Sequence, residues 1–208
     1  MHLHPNQVYH VYNRGNNRSQ LFYEPENYPF FLEKIRKYLV PYCDLLAYCL
    51  LPNHFHFLLH ANELTCLPYD HGWRQDLILE QNPLVQMSQF SHGIQLLLSS
   101  YAKAINKGHK RTGSLFTQNT HWKMTSSEAH KMDYSLWCFI YIHNNPVKAG
   151  LALSPELWPY SSYQEYLGLS TAPLCNLELG RKLLSLDINE LIKFNSLDIP
   201  DHILDKLL

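Results

Sequence analysis

No two of the five cysteines stand in a CxxC pair. Cys43, Cys49, Cys66, Cys138 and Cys175 are scattered and odd in number. That pattern argues against a zinc ribbon and against a disulfide framework, and it fits reduced thiols in the cytosol. A GxxxxGK(S/T) phosphate-binding loop is also missing. No apolar run is long enough to span a bilayer. The opening MHLHPNQVYHVYNRG lacks the basic stretch and apolar stretch of a signal peptide. Net charge is absent as well: 17 Lys and Arg against 18 Asp and Glu leave −1. Such a balance gives no global attraction to nucleic acid, so any surface for it has to be local. Internal repeats and low-complexity segments are lacking. A cytoplasmic protein with no membrane partner is expected.

What is present is apolar and aromatic. Of 208 residues, 46% are hydrophobic and 13% aromatic, enough for a substantial core. QVYHVYNRG (7–15) alternates and reads as a strand closed by Gly15. The segment from Glu26 to Leu39 has apolar residues at helical spacing. DLLAYCLLP (44–52) and NHFHFLLH (53–60) read as two strands of a hairpin. Residues 61–82 carry turn residues and no period, so they read as a loop or insertion. A long helix is expected over 83–106, with Phe90, Ile94, Leu97, Leu98 and Tyr101 on its apolar stripe. A basic turn at 107–113 follows, then a strand over 114–124. A second long helix over 126–145 is expected to stop at Pro146, because a residue before proline disfavours the helical conformation. The order strand, helix, strand, strand, helix, strand, helix suits a ferredoxin-like split β-α-β plan. The expected class is therefore α+β: a ferredoxin-like or RRM-like antiparallel sheet with helices on one face. A main domain over 1–168, with an insertion at about 61–82, would be followed by a helical extension over 169–208.

Two stretches carry chemistry. In LPNHFHFLLH (51–60), alternation turns His54 and His56 to one side of a strand and Phe55, Phe57 and Leu59 to the other. Two adjacent imidazoles suit one metal ion. Taken alone, such a pair is more often the solvated face of a half-buried strand, so the rest of the sequence has to decide. His60 has the same parity and reads as an edge residue or a support. In FIYIHNNPVKAGL (139–151), Tyr141 and Asn145 are four apart and share a helix face, with His143 turned away as a structural hydrogen-bonder. A tyrosine and an amide so placed can supply a nucleophile and a metal ligand together.

LPN before HFH resembles the HUH motif, histidine–hydrophobic–histidine. YIHNNPVKAGL resembles the tyrosine motif of the REP-associated tyrosine transposases, a branch of the single-tyrosine HUH transposases. YHVYNRGNNRSQLF, TGSLF (112–116) and WPYSSYQEYLG (158–168) resemble the same family, so the likeness runs from about Val8 to Gly168. Each motif alone is weak, and their shared order makes them specific. Residues 61–82 are longer than a minimal member needs, and the tail after about 170 matches nothing in the family.

The resemblance implies cleavage and rejoining of single-stranded or hairpin DNA. Tyr141 would be the nucleophile of a 5′-phosphotyrosine intermediate, with His54, His56 and Asn145 as ligands of Mg²⁺ or Mn²⁺. Imidazole suits Mn²⁺ better than Mg²⁺, which prefers oxygen and water. A covalent intermediate conserves the bond energy, which fits the missing nucleotide loop. Arg14, Arg18, Lys110, Arg111, Lys123 and Lys148 are candidates for DNA backbone contact, although Lys110 and Arg111 read equally well as a solvated turn. Tyr12, Phe116 and Trp122 are candidates to stack on bases. A homodimer through the sheet is a further family expectation. Two other function classes remain open: a hairpin-binding module without catalysis, and a metal-dependent nuclease without a covalent intermediate.

Overall fold

The computed structural model describes residues 3–69, 87–125, 134–187, 191 and 199–207. Four strands form one antiparallel sheet: β1 (Gln7–Arg14), β2 (Asp44–Leu51), β3 (His54–Ala61) and β4 (His121–Met124), in the order β2-β3-β1-β4. This is the expected ferredoxin-like order. The β2–β3 connection needs only Pro52 and Asn53, and the Pro52 carbonyl accepts from the Leu21 and Phe22 amides.

Alternation along the strands builds two cores. On one face, Tyr9 and Val11 of β1, Leu50 of β2, and Phe55, Phe57 and Leu59 of β3 meet two helices, α1 (Asn27–Tyr38) and the later Gln89–Gly108 helix. A short helix, α2 (Glu63–Cys66), precedes that later helix, which becomes α3. Its buried stripe is Phe90, Ile94, Leu97, Tyr101 and Ile105, at spacings of three and four. Ser88 caps it by accepting the Ser91 amide, which places the start after the expected one. The first part of that expected helix, 83–86, and much of the expected insertion, 70–82, lie outside the described residues. Gly93 lets α1 approach, because a Cβ there would collide with the Tyr38 carbonyl.

The opposite face is also covered, which corrects the expectation of helices on one face alone. The two crossover helices α1 and α3 do share a face. The helix after β4, α4 (Tyr134–Lys148), packs Cys138, Phe139 and Ile142 against Ala47, Cys49, Leu51 and Leu58 from the other side. The reason lies in β2, where seven consecutive residues, Leu45 to Leu51, are buried. A strand apolar on both sides needs cover on both sides. The C-terminal segment adds α5 (Tyr163–Tyr166), α6 (Leu177–Leu184) and α7 (Asp201–Leu207), and Leu184, Ile199 and Ile203 join the second core. The free edge of β2 is closed by this segment. Leu50 donates to the Tyr160 carbonyl (2.9 Å), Ser162 donates to Tyr48 (3.0 Å) and Asn176 to Leu45 (2.8 Å).

Two further element boundaries differ from the sequence reading. The strand expected over 114–124 is only β4, because Leu115 and Phe116 are both buried, and two successive inward residues break strand alternation. Pro146 does not stop α4, which runs to Lys148. The proline costs one helical hydrogen bond, to the Ile142 carbonyl, and it falls within the last turn. Burial of Ile142, His143 and Pro146 holds the turn in place. Residues 126–133 of the expected helix lie outside the described part. All five cysteines are unpaired. No helix among the described residues is long and apolar enough to cross a membrane.

Candidate active site

The site forms where β1, β3 and α4 converge. The β1–β3 register sets Tyr12 opposite His56 and Arg14 opposite His54. His54 and His56 project from the side of β3 away from Phe55 and Phe57, their ring centroids 5.1 Å apart. Helix α4 lies over that side. Tyr141 meets His56 edge-on at 5.5 Å between centroids and His10 at 6.0 Å. Asn145, one turn on, donates from Nδ2 to the Tyr141 carbonyl (3.4 Å), and its side chain lies close enough to His54 and to the Tyr141 phenol to shift the protonation of both. A cleft of about 320 Å³ is lined by Arg14, Arg18, His54, His56 and Tyr141, with Tyr12, Asn13 and Asn53 around them. A groove of about 400 Å³ between α3 and residues 113–120 has no ionisable side chain in its lining.

Burial sets the protonation states. It holds His56 well below the usual histidine range, and the neighbouring His10 and His54 add to the effect. His54 is lowered by burial as well, against the opposing hydrogen bond from Asn145. Both imidazoles are therefore neutral at pH 7, the form that ligates metals. Burial raises Tyr141, while the Asn145 hydrogen bond pulls the other way. The phenol is protonated, and its use as a nucleophile requires a route for the proton.

The donor set fits a divalent cation. His56 Nε2 is buried and has no hydrogen-bond partner among the described residues. His54 Nδ1 donates to Asn53 Oδ1 (2.6 Å), which leaves the ring lone pair on its Nε2. Among the described residues, no three His, Cys, Asp or Glu side chains form a metal-holding group. The set is thus two imidazoles and the Asn145 amide, with room in the cleft for oxygen donors from a substrate.

Arg14 and Arg18, two of the six basic candidates for DNA backbone contact, border the cleft. The other four basic candidates do not line it. Lys110 and Arg111 lie in the turn after α3, where the Arg111 guanidinium sits 5.7 Å from the Tyr23 ring. Lys123 Nζ donates to the Asp205 carbonyl (3.4 Å), and Lys148 is exposed at the end of α4. Of the three expected stacking residues, Tyr12 lines the cleft. Phe116 is buried against Phe31, Phe55 and Tyr101, so the core withholds it from any base. Trp122 is half-exposed but packs on Tyr9, across the sheet from the cleft. His60 pairs with Asp44 (3.2 Å), and His143 spans the Phe139 carbonyl and Ser162 Oγ (2.8 Å) as a structural group.

Three neighbours escaped the sequence reading. His10 is fully buried with its Nε2 2.9 Å from His56 Nδ1. Asn53 holds His54. His121 stacks on Tyr12 at 5.1 Å. His10 has the same parity as Tyr12 in β1, but its meeting with His56 depends on strand register.

No family model matches the chain, and no curated protein matches it. Among solved structures, the chain is similar to a REP-associated tyrosine transposase bound to a REP hairpin. The TM-score is 0.55 at 15% identity, over 84% of this chain and 87% of that one. The likeness is one of fold. It bears out the α+β class and the antiparallel sheet with helices.

Proposed function

We propose that the chain is a transposase-type DNA strand transferase that nicks and joins single-stranded hairpin DNA through Tyr141. The observation that carries this reading is the meeting of Tyr141 and Asn145 on one helix face with His54 and His56 on one strand face, at a cleft bordered by Arg14 and Arg18. The sequence motifs support it, as does a fold shared with a transposase solved on a hairpin.

In this reading the Tyr141 oxygen attacks the scissile phosphorus. A P–O bond to Tyr141 forms and the P–O3′ bond breaks, leaving a 5′-phosphotyrosine and a free 3′-hydroxyl. The phenol proton leaves Tyr141 as the bond forms, and the departing 3′-oxygen takes up a proton. Arg14 and Arg18 neutralise charge on the phosphate oxygens, where phosphoryl transfer needs it. Asn145 orients the phenol toward the histidine pair. A divalent ion held by His54, His56 and Asn145, Mn²⁺ or Mg²⁺, would polarise the phosphate and lower the cost of the charge that develops. Rejoining is the same step in reverse with a new 3′-hydroxyl, so no nucleotide hydrolysis is needed.

The test incubates the protein with end-labelled hairpin oligonucleotides from the flanks of its own gene, with Mn²⁺, and resolves the products on a denaturing gel. A protein-linked band that survives denaturation and disappears in Tyr141→Phe is expected. Cleavage without such a band would leave a plain metal-dependent nuclease. Tight binding without cleavage would leave a hairpin-binding module.

A further inference from the structure

His10 is fully buried on the site side of β1 and is used by nothing in the scheme above. It lies opposite Leu58, and His56 lies opposite Tyr12, so the two histidines are diagonal neighbours across the strand pair. Their rings stack at 5.1 Å and 21°, and His10 Nε2 stands 2.9 Å from His56 Nδ1. Tyr12 stacks on His10 at 4.8 Å and Tyr141 meets it edge-on. Packed among these rings, His10 has little freedom to turn.

Two nitrogens at this distance share one proton, and the two placements have opposite consequences. If His10 donates, the proton of neutral His56 sits on Nε2. A buried N–H then points into the cleft with no acceptor among the described residues, an orphan that folded proteins tolerate less readily than a bare acceptor. If His56 donates from Nδ1, its Nε2 presents a bare lone pair to the cleft. His54 has the second arrangement, because Asn53 Oδ1 can only accept.

We propose that His10 is a positioning residue that accepts the Nδ1 proton of His56 and so keeps His56 Nε2 free as a metal-binding lone pair. This rests on the reading of His56 as a ligand only for its purpose; the proton placement stands by itself. His10 does not touch the metal or the substrate. It sets the tautomer and the ring orientation of a residue that does.

The experiment reads tautomers directly, by long-range ¹H–¹⁵N correlation of histidine side chains in the metal-free full chain. His56 is assigned by its loss in His56→Asn. The expected wild-type pattern is Nδ1–H for His56. In His10→Phe, which keeps a ring but removes the acceptor, His56 changes to Nε2–H. Calorimetric Mn²⁺ affinity then falls about 10- to 100-fold. His10→Gln, whose carbonyl can accept, restores both readouts. A wild-type Nε2–H pattern overturns the proposal, whether or not the variants fold. Retention of Nδ1–H and of Mn²⁺ affinity in His10→Phe overturns it too. If wild-type protein binds no Mn²⁺, the metal in the proposed function falls, while the tautomer still decides the role of His10.

Discussion

The two faces of β3 differ in what they hold. Phe55, Phe57 and Leu59 enter a dry aromatic core beneath α1 and α3. His54, His56, Leu58 and His60 leave the same strand on the opposite side, and of these four only Leu58 joins an apolar cluster. One face spends every position on burial. The other gives up apolar contact near Tyr141 and keeps a buried imidazole nitrogen without a partner. Such an orphan costs stability, and a fold tolerates it best beside a core that is otherwise complete. The comparison thus predicts a division of labour: lesions on the aromatic face unfold the protein, and lesions on the histidine face disarm it.

The sharpest break is Tyr141→Phe. Covalent adduct formation should fall by about 10³-fold or more, with a melting temperature close to wild type, as read by gel and by calorimetry. Phe57→Ala tests the other face. Truncating this fully buried ring should cost about 3–5 kcal/mol in urea unfolding, while Mn²⁺ affinity of the remaining folded protein holds. If Phe57→Ala instead abolishes metal binding in protein that is still folded, the division between faces fails.

Acid probes the second core through His143. Burial lowers it to about 3 from 6.5, so below pH 6.5 the unfolded chain binds a proton that the folded chain refuses. Stability therefore rises with pH across this window and is lost as pH falls from about 6.5 toward 3, at up to roughly 1.4 kcal/mol per pH unit from this residue. His56 and His54 act in the same direction. His143→Gln should flatten the dependence of the urea midpoint on pH. Gly93→Ala should cost about 1–3 kcal/mol by forcing α3 away from the Tyr38 carbonyl, again without changing metal affinity. The smallest effect is expected for Lys148→Ala. This exposed cation lies outside the cleft, so at most one unit of the salt slope of DNA binding should go with it.

Legibility followed the periodicities. The 2-residue alternation of NHFHFLLH and the 3- and 4-residue stripe in α3 are local, and both are legible in the sequence. So was the placement of Tyr141 and Asn145 on one helix face. Pro146 misled, because a dipeptide preference of the residue before proline yielded to the packing of Ile142, His143 and Pro146. Phe116 misled in the opposite sense: as an aromatic it looked available to stack on bases, and burial against Tyr101 withdraws it. Four of the six basic candidates lie away from the cleft, since charge in a sequence carries no information about which surface it will occupy.

The sequence by itself determined which side chains share a face of one strand or one helix, because that follows from backbone geometry within a few residues. It determined, too, that His54 and His56 would be paired and that Tyr141 would be accompanied by Asn145. Tertiary structure alone decided that these two pairs would meet, that α4 would cover the second face of the sheet, and that His10 would reach His56. Those outcomes depend on β1–β3 register and on a helix more than eighty residues away in the chain, and no local preference encodes a distance of that kind.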